Sequence, residues 1–222
     1  MPSTDTRIDT NDEFIWTSIS TTRDDDGDII ESTIVYDNGD TQERTFSSGI
    51  GFLNEIGDED FFRTTTRNDI SDTRIYEYQT IQHHIFPPSE AFPGDAITIT
   101  RSETLYDDGV LVEFNRPVFG DETTSVSTDT ADAHDWATIT VRETGTNYIG
   151  NDLGGGLIVT TTETVYDDGR VETVQDTPFF KQTVLLDADG EFLSIRRLNF
   201  NEDGSVNQAS GGSVGNLSLI HI

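Results

Sequence analysis

Cysteine is absent from the 222-residue chain, which excludes disulfides, thiolate metal centres and cysteine nucleophiles. Positive charge is scarce. Thirteen Lys and Arg face 42 Asp and Glu, giving a formal net charge of −29, and Lys181 is the only lysine. A chain this acidic lacks the basic footprint that phosphate backbones and anionic lipid surfaces require, so neither nucleic acid nor membrane insertion is expected of it. No stretch approaches the roughly 18 consecutive apolar residues of a membrane span. The first thirteen residues lack the basic start and apolar run of a secretory signal. Helical periodicity is almost absent as well. Hydrophobic residues make up only 33%, which predicts a thin core, yet 9% aromatics separates the chain from acidic disordered tails.

What is abundant is threonine, about one residue in seven, in runs that alternate with period two. Ile30, Ser32, Ile34 and Tyr36 fall on one face of a strand, with Glu31, Thr33 and Val35 on the other. Ile97 to Tyr106, Leu157 to Tyr166 and Phe192 to Phe200 alternate in the same way. The runs end in turn dipeptides: Asp26-Gly27, Asn38-Gly39, Asp108-Gly109, Asp168-Gly169, Asp189-Gly190 and Asp203-Gly204. Both residues of such a pair accept the positive φ of a type I′ turn, the strongest short-range hairpin signal. The sequence therefore predicts an all-β chain of about ten to twelve antiparallel strands in hairpins and meanders, with elongation one option for its form.

Two elements recur. Thr33-Ile34-Val35-Tyr36-Asp37-Asn38-Gly39 returns as Thr104-Leu105-Tyr106-Asp107-Asp108-Gly109 and as Thr164-Val165-Tyr166-Asp167-Asp168-Gly169. Trp16-Thr17-Ser18-Ile19-Ser20 returns as Trp136-Ala137-Thr138-Ile139-Thr140. The pattern predicts a Trp16-led module over 1–88, a central hairpin over 95–120 and a Trp136-led module over 132–209, followed by a linker and tail over 210–222. Breaks are expected at Pro87 to Gly94 and in the polar stretch from Asp121 to Ala131, with Gly145 to Gly156 as an inserted loop. The Tyr-Asp-x-Gly hairpins resemble the YD (RHS-type) repeats of large secreted bacterial proteins and the acidic repeats that accompany RTX calcium repeats. YD repeats usually carry two residues between Asp and Gly, where this chain has one. The resemblance implies a secreted, repetitive β scaffold and carries over no catalytic residue.

Calcium is the one candidate cofactor. Asn199, Asn201 and Asp203, followed by Gly204, match the opening positions of an EF-type loop, although the twelfth position falls on Ser210. Asp24, Asp26 and Asp28, and likewise Asp187, Asp189 and Glu191, gather carboxylates at two hairpin tips. The bland alternative is solvated turns. His83 and His84 are adjacent in a strand, point to opposite faces and cannot chelate one metal. His134, between Asp132 and Asp135, could serve as a base but suits a capping role better. Trp16 and Trp136 suit module anchors better than sugar platforms. No nucleophile elbow, zincin motif or phosphate loop occurs.

These features favour a non-enzymatic extracellular repeat region, structural or adhesive, of a longer secreted bacterial protein, with glycans or cell-surface groups as partners. A carbohydrate-active or other hydrolytic β-domain is the alternative. Export would use a route other than an N-terminal signal peptide. The closing hexapeptide, Leu217 to Ile222, resembles the translated read-through of a sequencing adapter, so the natural chain is expected to continue beyond residue 216.

Overall fold

In the computed structural model, residues 1–53, 59–86, 96–117, 122–146, 157–201, 205–207 and 212–215 are described. They contain fifteen strands and no helix. The all-β antiparallel architecture is as expected, with more strands than the ten to twelve anticipated. The chain divides into two units, Met1–Val118 and Phe119–Ile222.

The first unit holds β1 (Ser3–Ile8), β2 (Trp16–Arg23), β3 (Ile29–Tyr36), β4 (Thr41–Leu53), β5 (Glu59–Asn68), β6 (Tyr76–Phe86), β7 (Ala96–Tyr106) and β8 (Val110–Asn115). Each pairs antiparallel with the next in sequence, from β1–β2 through to β7–β8. The second unit is built alike from β9 (Glu122–Asp129), β10 (Trp136–Thr146), β11 (Leu157–Tyr166), β12 (Val171–Asp176), β13 (Phe180–Leu186), β14 (Phe192–Asn199) and β15 (Gly212–Gly215). The central hairpin read from the sequence is β7–β8, inside the first unit. The polar stretch from Asp121 to Ala131, expected as a break, contains β9. Its Ser and Thr residues face Val141, Arg142 and Glu143 of β10 across a regular ladder, because a Thr-rich strand needs only one half-buried face. The Pro87 to Gly94 break, most of the Gly145 to Gly156 loop, Asp203 and the tail after residue 215 lie outside the described residues.

Little apolar surface is enclosed. Among the described residues the buried hydrophobic side chains are Ile85 and Val110, while the buried polar set is larger: Asp40, Gln42, Thr65, His84, Thr100, Thr104 and Thr177. The backbone ladder and short hydroxyl contacts across it therefore carry much of the cohesion. Thr4 faces Thr22 at 3.1 Å, Thr6 faces Ser20 at 3.0 Å, and Thr66 faces Thr80 at 3.0 Å. His84 is fully buried and stacks on Phe62, with ring centroids 4.6 Å apart.

Candidate functional site

One loop occurs three times, at intervals of 60 residues. Asp9 and Asp69 directly follow β1 and β5, Asp129 is the last residue of β9, and each folds its carboxylate back over the five residues that follow. The second carboxylate oxygen accepts from the amide five residues on: Phe14 at 2.7 Å, Arg74 at 2.5 Å and His134 at 2.6 Å. The first accepts from Asn11 at 3.2 Å, Thr73 at 3.3 Å and Ala131 at 3.2 Å. Three residues after each of these aspartates comes a second one in left-handed backbone: Asp12 at φ 57°, Asp72 at 54° and Asp132 at 55°. Aspartate tolerates that region better than most residues because its short side chain can bond locally.

Each loop delivers an aromatic residue to a bulge opposite the Tyr of the Tyr-Asp-x-Gly turn. The pairs are Trp16 with Tyr36, Tyr76 with Tyr106 and Trp136 with Tyr166. The Trp16 and Trp136 correspondence is thus present, and Tyr76 supplies a third copy with tyrosine in place of tryptophan. The signal that could have found it is the aspartate pair, Asp69 and Asp72, spaced as in Asp9 and Asp12. The side chain two positions before the aromatic residue lies against its ring. Phe14 stacks on Trp16 at 5.0 Å, His134 stacks on Trp136 at 4.9 Å, and the Arg74 guanidinium lies 5.7 Å from the Tyr76 ring. His134 is therefore engaged as a stacking partner through its ring and as a loop donor through its amide.

Within each unit the repeated loops and Tyr-Asp turns share one end of the strands, and they are tied to one another. The amides of Asp37, Asp107 and Asp167 donate to the carbonyls of Ile15, Ile75 and Asp135, each at 3.3 Å. Asp40, 3% exposed, links turn to loop: its carboxylate accepts from the Ser71 amide at 3.0 Å and from Asn38 Nδ2 at 2.9 Å. Burial works against its charge, but those hydrogen bonds outweigh it and hold the carboxyl below the ordinary value. For Asp129 desolvation likewise opposes charge, and the amides of His134, Ala133 and Ala131 win. Asp107 moves the other way, first through desolvation and then through Asp72 and Asp69. Asp167 does the same beside Asp132, Asp129 and Asp135. The Tyr78 hydroxyl donates to Glu103 at 2.5 Å, and that bond, followed by burial, pushes its pKa up to about 12.

The residues proposed from sequence for calcium lie in three separate stretches of chain: Asn199 ends β14, Asn201 follows it, and Asp203 is outside the described residues. Asp24–Asp28 closes β2–β3, at the opposite end of its unit from the repeated loops, and Asp187–Glu191 closes β13–β14. Both use one geometry. Asp24 Oδ1 accepts from the Asp26 and Asp28 amides at 3.0 and 2.9 Å. Asp187 Oδ1 accepts from the Asp189 and Glu191 amides at 3.0 and 2.8 Å. In each the leading carboxylate is turned into its own loop. Asn199 Oδ1 accepts from Arg197 Nε at 3.0 Å, which sets a cation beside the first EF-like position, and Asn201 Nδ2 donates to Ser205 Oγ at 2.9 Å. Among the described residues no three Asp, Glu or His side chains come together as a metal-holding group. The second unit also carries an open depression of about 420 Å³ lined by Ile158, Thr160, Val174 and Lys181, the last paired with Asp176 at 3.3 Å.

The comparisons leave the chain on its own chemistry: no protein-family model matches it, and neither do any curated protein or solved structure at a significant level.

Proposed function

We propose that this chain is a non-enzymatic extracellular repeat scaffold with a structural or adhesive role. The observation that carries the reading is the threefold loop. The same aspartate cap, left-handed aspartate and bulge return at 60-residue intervals, each facing a Tyr-Asp-x-Gly turn whose copies are 70 and 60 residues apart, while the residues displayed between them change freely. A catalytic centre needs a unique constellation of groups, whereas a scaffold needs a unit that can be stacked. The acidic surface suits a saline exterior, where screening relieves self-repulsion.

The test removes one whole unit. Deleting residues 9–68 joins Ile8 to Asp69, so β1 enters the next copy of the same loop and pairs with β6. The shortened chain is expected to melt cooperatively within a few degrees of the full chain, because each strand pairs only with its neighbours in sequence. Loss of the folded state refutes the stackable unit. Release of reducing ends from a polysaccharide panel by the full chain, with many turnovers per molecule, overturns the non-enzymatic reading in favour of a hydrolytic β-domain.

A further inference from the structure

The few cations of this chain are not spread evenly. Register places three rows across β4, β5 and β6 on one face of the first unit: Gln42–Arg67–Gln79, Arg44–Thr65–Ile81 and Phe46–Arg63–His83. These rows hold three arginines and a histidine and no carboxylate. Arg44 lies diagonal to both Arg63 and Arg67, a cross-strand separation of about 7–8 Å, within reach of long side chains. Arg63 and Arg67 are four residues apart on one strand, roughly 13 Å. The guanidiniums thus form a strip one strand spacing wide.

Two observations set this strip apart from ordinary cover for a sheet face. The guanidiniums are not neutralised. Among the described residues none of the three is in an ion pair, Arg67 Nε donates only to the neutral Gln42 Oε1 at 3.1 Å, and Arg63 Nε is screened from water with no acceptor. Nor does the fold need them. In β9 and β10, sixty residues on and in the same register, the places of Arg63, Arg67 and His83 are taken by Thr123, Ser127 and Glu143. Counted from the Tyr-Asp-x-Gly turn, Arg44 answers to Val174. The repeat forms without the strip, so the strip is an addition to it.

We infer that Arg44, Arg63 and Arg67 form a binding strip for a sulfated polysaccharide. Guanidinium forks match the oxygens of a sulfate ester, which stays ionised at every working pH. Adjacent pairs, Arg44 with Arg63 and Arg44 with Arg67, each offer a place for one such group, so the strip takes two along a chain. A duplex nucleic acid, with one charge per about 1.7 Å, is repelled by the remainder of a surface whose net charge is −29. A polymer with widely spaced sulfates meets the strip while adding little charge elsewhere. This goes beyond the scaffold reading and does not require it.

The experiment measures binding of the full chain to immobilised chondroitin sulfate, with desulfated chondroitin, dextran and duplex DNA as parallel surfaces. Binding to the sulfated polymer alone is expected at low salt, with loss in concentrated NaCl. The variant R44V/R63T/R67S, built from residues the other copies already use, is expected to lose at least tenfold in affinity, and Arg170→Gln in the second unit none. Binding that survives the triple substitution, equal binding to the desulfated polymer, tighter binding to DNA or no binding at all overturns the assignment. A readout on the unmodified chain does not depend on the variant folding. During titration with inorganic sulfate, the Nε–H signals of Arg44, Arg63 and Arg67 should move in nuclear magnetic resonance spectra while those of Arg170 and Arg197 stay. A uniform response of all guanidiniums overturns the strip.

Discussion

Replacing Asp40 with valine isolates the worth of a buried carboxylate between two repeated elements. Asp40 is 3% exposed, its Oδ1 accepts from the Ser71 amide and its Oδ2 from Asn38. Val110 fills the same turn position in the next copy at 8% exposure, so an apolar side chain is sterically acceptable there. The change strands the half-buried Ser71 amide and removes the ion pair of Arg74 Nε with Oδ2 at 3.9 Å; a fully buried unsatisfied donor costs roughly 1–3 kcal/mol. Asn38 retains the Ser71 hydroxyl at 3.0 Å and adds less. A loss of about 2 kcal/mol corresponds to about 4–8 °C in Tm for a chain of this size. Asp40→Asn keeps an acceptor for Ser71 and should cost about half as much. Because the folded carboxyl lies below its ordinary value, ionised Asp40 stabilises the native state. That contribution is complete above the unfolded value of about 3.9 and is lost as pH falls through the folded one. Circular dichroism melts of wild type and Asp40→Val should therefore differ most near neutrality and converge in acid. A neutral or stabilising Asp40→Val, or a gap that is the same at neutral and acid pH, would refute the reasoning.

Gly169→Ala should destabilise more than Gly27→Ala. Both glycines have positive φ, which costs an alanine about 1 kcal/mol, but a Cβ at Gly169 meets the Ala188 Cβ at 2.8 Å whereas one at Gly27 meets nothing within 4 Å. Comparable melting temperatures for the two variants would remove steric contact from the explanation. Asp107→Asn should raise the melting temperature at low ionic strength, since desolvation and the neighbouring Asp72 and Asp69 disfavour its charge and raise its pKa. The gain should shrink as NaCl screens the cluster, and a salt-independent gain would point to a cause other than repulsion.

Period-two alternation and Asp-Gly turns were enough to predict the class of fold, because hairpin register follows from side-chain alternation and turn chemistry alone. The third repeat was hidden by a change of aromatic type. Tyr76 stands where Trp16 and Trp136 stand, and the invariant parts, Asp69 and Asp72, act through the backbone and look like ordinary loop acids. Loop spacing and clustered carboxylates named the calcium candidates, but neither says which way an oxygen points. Asp24 and Asp187 each turn one oxygen onto amides of the loop that follows, those of Asp26 and Asp28 and of Asp189 and Glu191. The arginine strip was harder to see. Arg63 and Arg67 share a face by alternation within one strand, but Arg44 joins them only through the register of β4 on β5, which no local pattern states.

Strict sequential pairing has a consequence for how the chain acquires its structure. The widest separations among the described strand partners are Tyr76 with Tyr106 and Trp136 with Tyr166, 30 residues each. Every contact is closed by a short search, so loop-closure entropy stays small at each step and folding should be quick for an all-β chain. Within each unit, structure can also grow from one end as the polypeptide emerges from the ribosome or from an export channel, each new strand docking on the last one laid down. Such growth needs no distant partner and leaves unpaired only the outer edges of the first and the newest strand of the unit.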